Sequence, residues 1–302
     1  MTKASTWVNA ARLRTLPLSI SGILVGTGLA SLYVTIDTLI FALAILTTVG
    51  FQITSNFAND YGDGVKGTDS DERIGPRRVL QSGLLTPKQL KTGIYISILI
   101  DILLTISLIL VAFGLDQFLI SLSFLILGGL AIWAAVKYTV GKSAYGYNGF
   151  GDLFVFIFFG LVSVLGSMYL YSKSITLLAV LPAVSIGLLS VGVLNLNNLR
   201  DHVSDRKVGK NTLVVKMGYK RGKIYHYSLL MVSFLCLILF LATTNGSIIR
   251  YVCLIGFLPI LFHMKTVANV EHAVQLDPEL KKLALSTFLT ALLFYISYYY
   301  FL

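Results

Sequence analysis

Nine runs of apolar residues, each near the ~20 residues that a helix needs to cross a bilayer, constrain this chain more than any other feature. They lie at about residues 16–35, 38–58, 92–113, 117–136, 153–171, 176–196, 224–243, 248–264 and 283–301. In hydrocarbon every backbone N–H and C=O must find its partner within the protein, so segments of this length fold as helices. Only 13% of the 302 residues are charged, where a soluble domain carries about a quarter. The expected class is therefore all-α: a polytopic bundle of nine transmembrane helices, with residues 1–302 forming a single integral-membrane domain whose solvent is the lipid bilayer.

The formal net charge is +10, a balance that in a soluble protein would raise nucleic acid as a partner. The positions of the charges argue against that. With the N-terminus in the cytoplasm, every Lys and Arg except Lys173 and Arg250 falls in a cytoplasmic segment. The positive-inside rule then predicts an N-in, C-out topology and no nucleic-acid partner. Cys236 and Cys253 both lie within apolar runs and read as buried, inert thiols, and no pair has zinc-ligand spacing. The basic-then-apolar N-terminus lacks a small-residue cleavage site and is expected to remain as the first span.

Two polar islands interrupt this pattern. The first, residues 56–82, holds five of the fourteen acidic residues, and Asn56, Asp60 and Asp63 in it share one helix face. The second, residues 195–223, repeats the spacing with Asn197, Asp201 and Asp205. Each island follows the second helix of a group of four, which suggests two four-helix pseudo-repeats plus a ninth helix. Neither a calcium loop nor a phosphate loop fits the first island. Gly62 stands where an EF-hand needs an oxygen ligand, and Gly64 and Gly67 are too close for a Gly-x4-Gly-Lys motif.

Carboxylates at a membrane edge are costly unless they face a cation. Here they are accompanied by Lys and Arg, which favour an anion. Together they point to Mg²⁺ bridging carboxylates and a phosphate-bearing ligand. A salt-bridged cytoplasmic loop would explain one island alone, but not the same spacing twice. A cation or organic-phosphate transporter would place polar residues mid-span, whereas here they sit at helix ends on one side. Three further readings complete the pass. Asp101 within span 3 reads as a hydrogen-bonded packing residue, the Gly- and Tyr-rich loop 137–152 as ligand-facing, and the polar stretch 267–282 as a solvated loop or short amphipathic helix.

Asn59-Asp60-x-x-Asp63 followed by Asp69, and Asp201-x-x-x-Asp205, resemble the two aspartate-rich motifs of the UbiA superfamily of intramembrane aromatic prenyltransferases. Finer details are similar to its 1,4-dihydroxy-2-naphthoate polyprenyltransferase branch, which serves menaquinone biosynthesis. These are the Gly75–Pro87 run GPRRVLQSGLLTP, the Asn197–Leu213 run, and Trp7 followed by Arg12. The chain departs from the family pattern at Leu13, where proline is usual. It departs again in loop 137–152, at Gly141-Lys142-Ser143-Ala144 and Gly149-Phe150-Gly151-Asp152, which bears on the acceptor rather than the diphosphate site.

The resemblance implies a polyprenyl diphosphate donor, 1,4-dihydroxy-2-naphthoate as acceptor, and Mg²⁺ held by Asp60, Asp63, Asp201 and Asp205. It implies Asn56, Asn59, Asp69 and Asn197 nearby, with Arg77, Arg78, Lys142, Arg200, Lys207 and Lys210 as partners for the diphosphate. Tyr138, Tyr145 and Tyr147 would shelter the allylic cation. A sibling enzyme taking 4-hydroxybenzoate, homogentisate or another aromatic acceptor is the alternative.

Overall fold

The computed structural model describes residues 3–68, 74–244 and 246–301, and helices are the only regular structure among them. The leading helix α1 (Lys3–Ala11) passes through one 3₁₀ turn (Leu13–Thr15) into α2 (Leu16–Ala30). There follow α3 (Thr38–Val65), α4 (Pro87–Phe113), α5 (Phe118–Lys137), α6 (Gly151–Ser172), α7 (Leu177–Lys207), a short α8 (Leu213–Met217), α9 (Tyr219–Thr243), α10 (Ile248–Ala268) and α11 (Ala273–Tyr300). With α1 and α2 taken together as Ala4–Ala30, nine helices among the described residues are long and apolar enough to cross a membrane.

Several helices are apolar on every side, as membrane spans must be. On α4, Leu90 and Ile94 are buried while Ile96, Leu99 and Leu103 face outward. The main core runs from Ile23 and Leu29 on α2 through Met168 on α6 and Leu189 on α7 to Phe294 and Tyr298 on α11. Small residues set the closest approach. A Cβ on Gly26 would stand 2.2 Å from the Val164 carbonyl oxygen, so α2 and α6 meet backbone to backbone only because that position is glycine. The middle of α6, Phe156–Gly166, is wound as a π-helix, a rare form concentrated at functional sites.

The internal repeat is visible in packing. α3 lies along α4 and α7 along α9, each an extensively packed pair. α3 and the regular part of α7, Val180–Lys207, are each 28 residues long. Asp63 and Asp205 each stand two residues before their helix end. Ser31 at the end of α2 donates to the Tyr298 carbonyl at 3.1 Å, while Arg12 pairs with Asp60. The N-terminus thus lies at the end of the bundle that carries the islands, and the C-terminus at the other.

The helices outrun the apolar segments at the islands. α3 and α7 continue through the first residues of each island, to Val65 and Lys207. α4 starts at Pro87 rather than near 92, because a capping box between Thr86 and Gln89 satisfies its first turn. The stretch 267–282 is mostly helical rather than a solvated loop. The regular part of α11 begins at Asp277, with Asp277 and Glu279 in its first turn, where carboxylates complement the helix dipole.

Candidate active site

Both aspartate clusters occupy the last turns of 28-residue helices at the same end of the bundle. Asp63 from α3 and Asp201 and Asp205 from α7 line one small polar pocket of about 20 Å³, together with Asn197, Arg78 and Lys210. The fold thus brings carboxylates from two helices distant in sequence to one pocket.

In the first cluster, Asp60 is 1% exposed and forms an ion pair with Arg12, with the Arg78 Nε at 3.8 Å. Arg78 Nη1 reaches Asp63 Oδ2 at 2.6 Å and also donates to the Asn59 carbonyl at 2.8 Å. The Tyr147 hydroxyl donates to Asp63 Oδ1 at 2.6 Å and lies 2.8 Å from Thr68 Oγ1. Burial, reinforced by the Asp63 charge, holds the Tyr147 phenol above its ordinary range, so it acts as a donor and not as a phenolate. Gly62 makes this arrangement sterically possible. A Cβ there would come within 2.5 Å of Thr139 Oγ1, at the root of the loop that carries Tyr147.

In the second cluster, Arg200 is 3% exposed and donates through Nε and Nη2 to both Asp201 oxygens, each at 2.7 Å. Its other contacts are Asn197 Oδ1, 2.8 Å from Nη2, and Asp277 at the start of α11. Lys210 Nζ stands 3.7 Å from Asp205 Oδ1.

Beyond the polar pocket a cavity of about 770 Å³ runs into the bundle. Arg12, Asn59, Asp63, Arg78, Asn197 and Lys210 form its mouth. Tyr138, Tyr145 and Phe154 form an aromatic collar, with Tyr145 and Phe154 stacked at 4.0 Å. Burial keeps the Tyr138 and Tyr145 phenols neutral as well. The remaining wall is apolar and includes the π-helical face of α6. From Asp63 to Ala44, both lining residues on α3, the wall extends about 28 Å at ~1.5 Å per residue, close to the ~30 Å thickness of a bilayer's hydrocarbon core. The backbones of α5 and α6, consecutive in the chain, stay apart while side chains of both line the cavity. At its far end Phe124 packs on Phe113 at 4.9 Å and on Tyr169 at 5.8 Å. The Lys173 ammonium lies 4.2 Å from the Phe113 ring centroid and donates to the carbonyls of Ala112 and Leu170.

The residues singled out in the sequence separate accordingly. Asp63, Asn59, Arg78, Tyr145, Asn197 and Lys210 line the large cavity, and Asp201 and Asp205 line the polar pocket beside it. Asp60 and Arg200 line neither and sit behind the lining as ion-paired supports. Asn56 also faces away, donating to the Ala11 carbonyl at 2.8 Å and to Thr15 Oγ1 at 3.1 Å, so it anchors the N-terminal segment. Arg77, Lys142 and Lys207 are exposed and line neither cavity. Lys207 is two residues past Asp205 and so falls on another helix face. Lys142 follows Gly141, whose φ is +93°. Asp69 lies outside the described residues. Sequence reasoning missed Arg12 as the counter-ion of Asp60 and Asp277 as a partner of Arg200. These pairs join positions 48 and 77 residues apart, and no spacing rule connects them.

The donor set suits Mg²⁺: the candidate ligands are all carboxylate or amide oxygens, with no sulfur or imidazole among the pocket residues. No group of three His, Cys, Asp or Glu side chains among the described residues already converges as a closed metal site. Mg²⁺ in such sites typically takes further ligands from water and substrate phosphate oxygens.

Residues 19–275 match the UbiA prenyltransferase family. The chain is 42% identical over 295 residues to the 1,4-dihydroxy-2-naphthoate octaprenyltransferase of Escherichia coli K12, covering 97% of this chain and 95% of that protein. It is 39% identical over 245 residues to the protein of the same name from Mycobacterium tuberculosis, covering 80% of each. Among solved structures, a UbiA homologue from Archaeoglobus fulgidus bound to DMAPP and Mg²⁺ shares the fold at a TM-score of 0.67 and 12% identity, covering 96% of this chain and 99% of that one. An apo UbiA homologue from Aeropyrum pernix K1 does so at 0.66 and 16%, covering 95% and 98%. With its paired aspartate helices, membrane-length cavity and family match over most of its length, the chain belongs to the UbiA prenyltransferase family.

Proposed function

We propose that this protein transfers a polyprenyl group from polyprenyl diphosphate to 1,4-dihydroxy-2-naphthoate, with decarboxylation, yielding the demethylmenaquinol of menaquinone biosynthesis. It would do so in a bacterial cytoplasmic membrane, with the aspartate end of the bundle facing the cytoplasm. The observation that carries this reading is the cavity, in which a mouth of carboxylates and cations opens directly into an apolar channel about as long as a bilayer leaf-to-leaf core. Such a site suits one molecule with a diphosphate at one end and an isoprenoid at the other. The naphthoate acceptor is carried over from relatives of that name, which match along nearly the whole chain. The orientation rests on the positive-inside distribution of Lys and Arg.

Asp63, Asp201 and Asp205 would hold Mg²⁺ with the diphosphate, and Asp60 would act either as a further ligand or as their support. When bound, Mg²⁺ supplies positive charge that stabilises the departing diphosphate. Arg78 and Lys210, at the cavity mouth, oppose the same developing charge and are worth most in the transition state. The allylic C–O bond breaks and its electron pair leaves with the diphosphate. The faces of Tyr138, Tyr145 and Phe154 are suited to shelter the cation that remains. The electron-rich naphthoate ring then forms the new C–C bond, and its carboxylate leaves as CO₂. The apolar wall keeps water from the cation, which would otherwise hydrolyse.

The test is turnover by detergent-solubilised protein with Mg²⁺, polyprenyl diphosphate and 1,4-dihydroxy-2-naphthoate, with EDTA as control. EDTA-sensitive CO₂ release matched by prenylated naphthoquinol is the expected result. Diphosphate release without CO₂, or product only from 4-hydroxybenzoate or homogentisate, would reassign the acceptor.

A further inference from the structure

Arg200 is among the most buried charges of the chain, yet it lines neither cavity. Its fork is bidentate on Asp201, at 2.7 Å to each oxygen, and its Nη1 is bonded to Asp277. One guanidinium therefore serves two carboxylates. Were Asp201 its sole partner, the two would form a closed, neutral, bidentate pair, and a metal ion would have to compete with a fully engaged cation. The second carboxylate leaves a net negative charge on the trio and fixes the plane of the fork.

We infer that Asp277 is a positioning residue for the second aspartate cluster: acting through Arg200, it orients Asp201 toward the polar pocket and preserves its negative charge for a divalent cation. The inference rests on the metal-diphosphate reading proposed above and adds to it a residue from the last helix, beyond the matched family region of 19–275.

The start of α11 is built to deliver Asp277 to this place. Two residues on, Glu279 is 4% exposed, with Oε2 lying 2.7 Å from His263 Nδ1 on α10 and Oε1 bonded to Lys282. His263 Nε2 in turn lies 2.8 Å from His226 Nε2 on α9. The first turn of the regular part of α11 is thus tied to α9 and α10 through Glu279 and to α7 through Asp277. The two carboxylates divide the work: Glu279 anchors the helix, and Asp277 reaches the site. Partners that orient a metal ligand typically change metal affinity about 10–100-fold when removed. Because the Asp277 side chain is 39% exposed, solvent screening places its effect at the lower end.

The experiment titrates Mn²⁺, as a spectroscopic substitute for Mg²⁺, into full-length detergent-solubilised protein in the presence of inorganic pyrophosphate, following free Mn²⁺ by electron paramagnetic resonance. Asp277→Asn, which keeps the shape and removes the charge, is expected to raise the apparent Kd for Mn²⁺ about 10-fold. It should also raise the half-saturating Mg²⁺ in turnover while leaving kcat at saturating Mg²⁺ near the parent value. Asp277→Glu should restore most of the affinity. Glu279→Gln should lower Tm but leave Mn²⁺ affinity within about 2-fold, since its partners are the histidines and Lys282. If Asp277→Asn does not fold, Asp277→Ser removes the same charge with a smaller side chain and is read the same way.

Parent-like Mn²⁺ affinity in the neutral variant would overturn the inference, as would an equal loss of affinity in Glu279→Gln, which would reduce Asp277 to a stabiliser of α11. No Mn²⁺ binding by the parent protein would instead overturn the metal-diphosphate reading itself.

Discussion

The two aspartate clusters stand at equivalent helix ends but are held by different means. Counter-ions of the first come from far along the chain: Arg12 arrives from the N-terminal segment and Arg78 from the loop after α3, and the Tyr147 phenol comes from a third segment. In the second, Arg200 is the neighbour of Asp201 on the same helix, and Lys210 follows Asp205 by one turn of loop. The first cluster is assembled by tertiary structure, and its two aspartates face two arginines. The second is largely assembled within its own stretch, where Arg200 pairs with Asp201 and Asp277 and Lys210 lies beside Asp205. The first cluster therefore couples the N-terminal segment and the Tyr147 loop to the site, while the second couples the regular part of α11 to it through Asp277.

The most severe way to break this comparison is to remove a lining carboxylate from each side. Asp63→Ala and Asp205→Ala are each expected to lower turnover by about a thousandfold, with the protein still folded and membrane-inserted. Near-normal product from either one would mean that the two helix ends are not halves of a single site. A second test separates support from chemistry in the first cluster. Arg12→Ala removes the nearer counter-ion of the buried Asp60, leaving Arg78 Nε at 3.8 Å, and should destabilise the protein by about 3 kcal/mol. Adding Asp60→Asn should recover most of that loss in Tm, whereas two additive penalties would show that the pair is not coupled. Tyr147→Phe removes one hydrogen bond to a charged group, worth about 1.5–3 kcal/mol. Its kcat/KM should fall roughly 10–100-fold, and an unchanged value would disconnect the loop from the first cluster. The smallest effect is expected at Lys142, exposed at the loop tip. Lys142→Ala should change kcat/KM by less than about 2-fold, and a large loss would show that the loop folds over the substrate.

Much of the fold was legible before any coordinates, because period and length alone decide it. Runs such as 92–113 and 224–243 have no alternative to a helix in a bilayer. The boundaries were less legible, because polar helix ends carry no hydrophobic signal. Pro87 begins α4 through a capping box, and Asp277 begins the regular part of α11 within a stretch that reads as a solvated loop or short amphipathic helix. Within the site, Asp63, Asp201 and Asp205 could be found from spacing, since residues four apart on a helix share a face. The same spacing also nominated Asn56, which turns instead to the Ala11 carbonyl. A face fixed by helical period says which residues lie together, but not what packs against that face.

The sequence by itself determined the class, the number of apolar spans and the pairing of two aspartate-bearing helices, because each follows from local periodicity and from the cost of exposing polar groups to lipid. Only the tertiary structure decided which carboxylates line the pocket and which are spent on arginines behind it. That choice depends on pairs such as Arg12 with Asp60 and Arg200 with Asp277. Charges separated by dozens of residues meet only once the helices have packed, and no local rule encodes their distance.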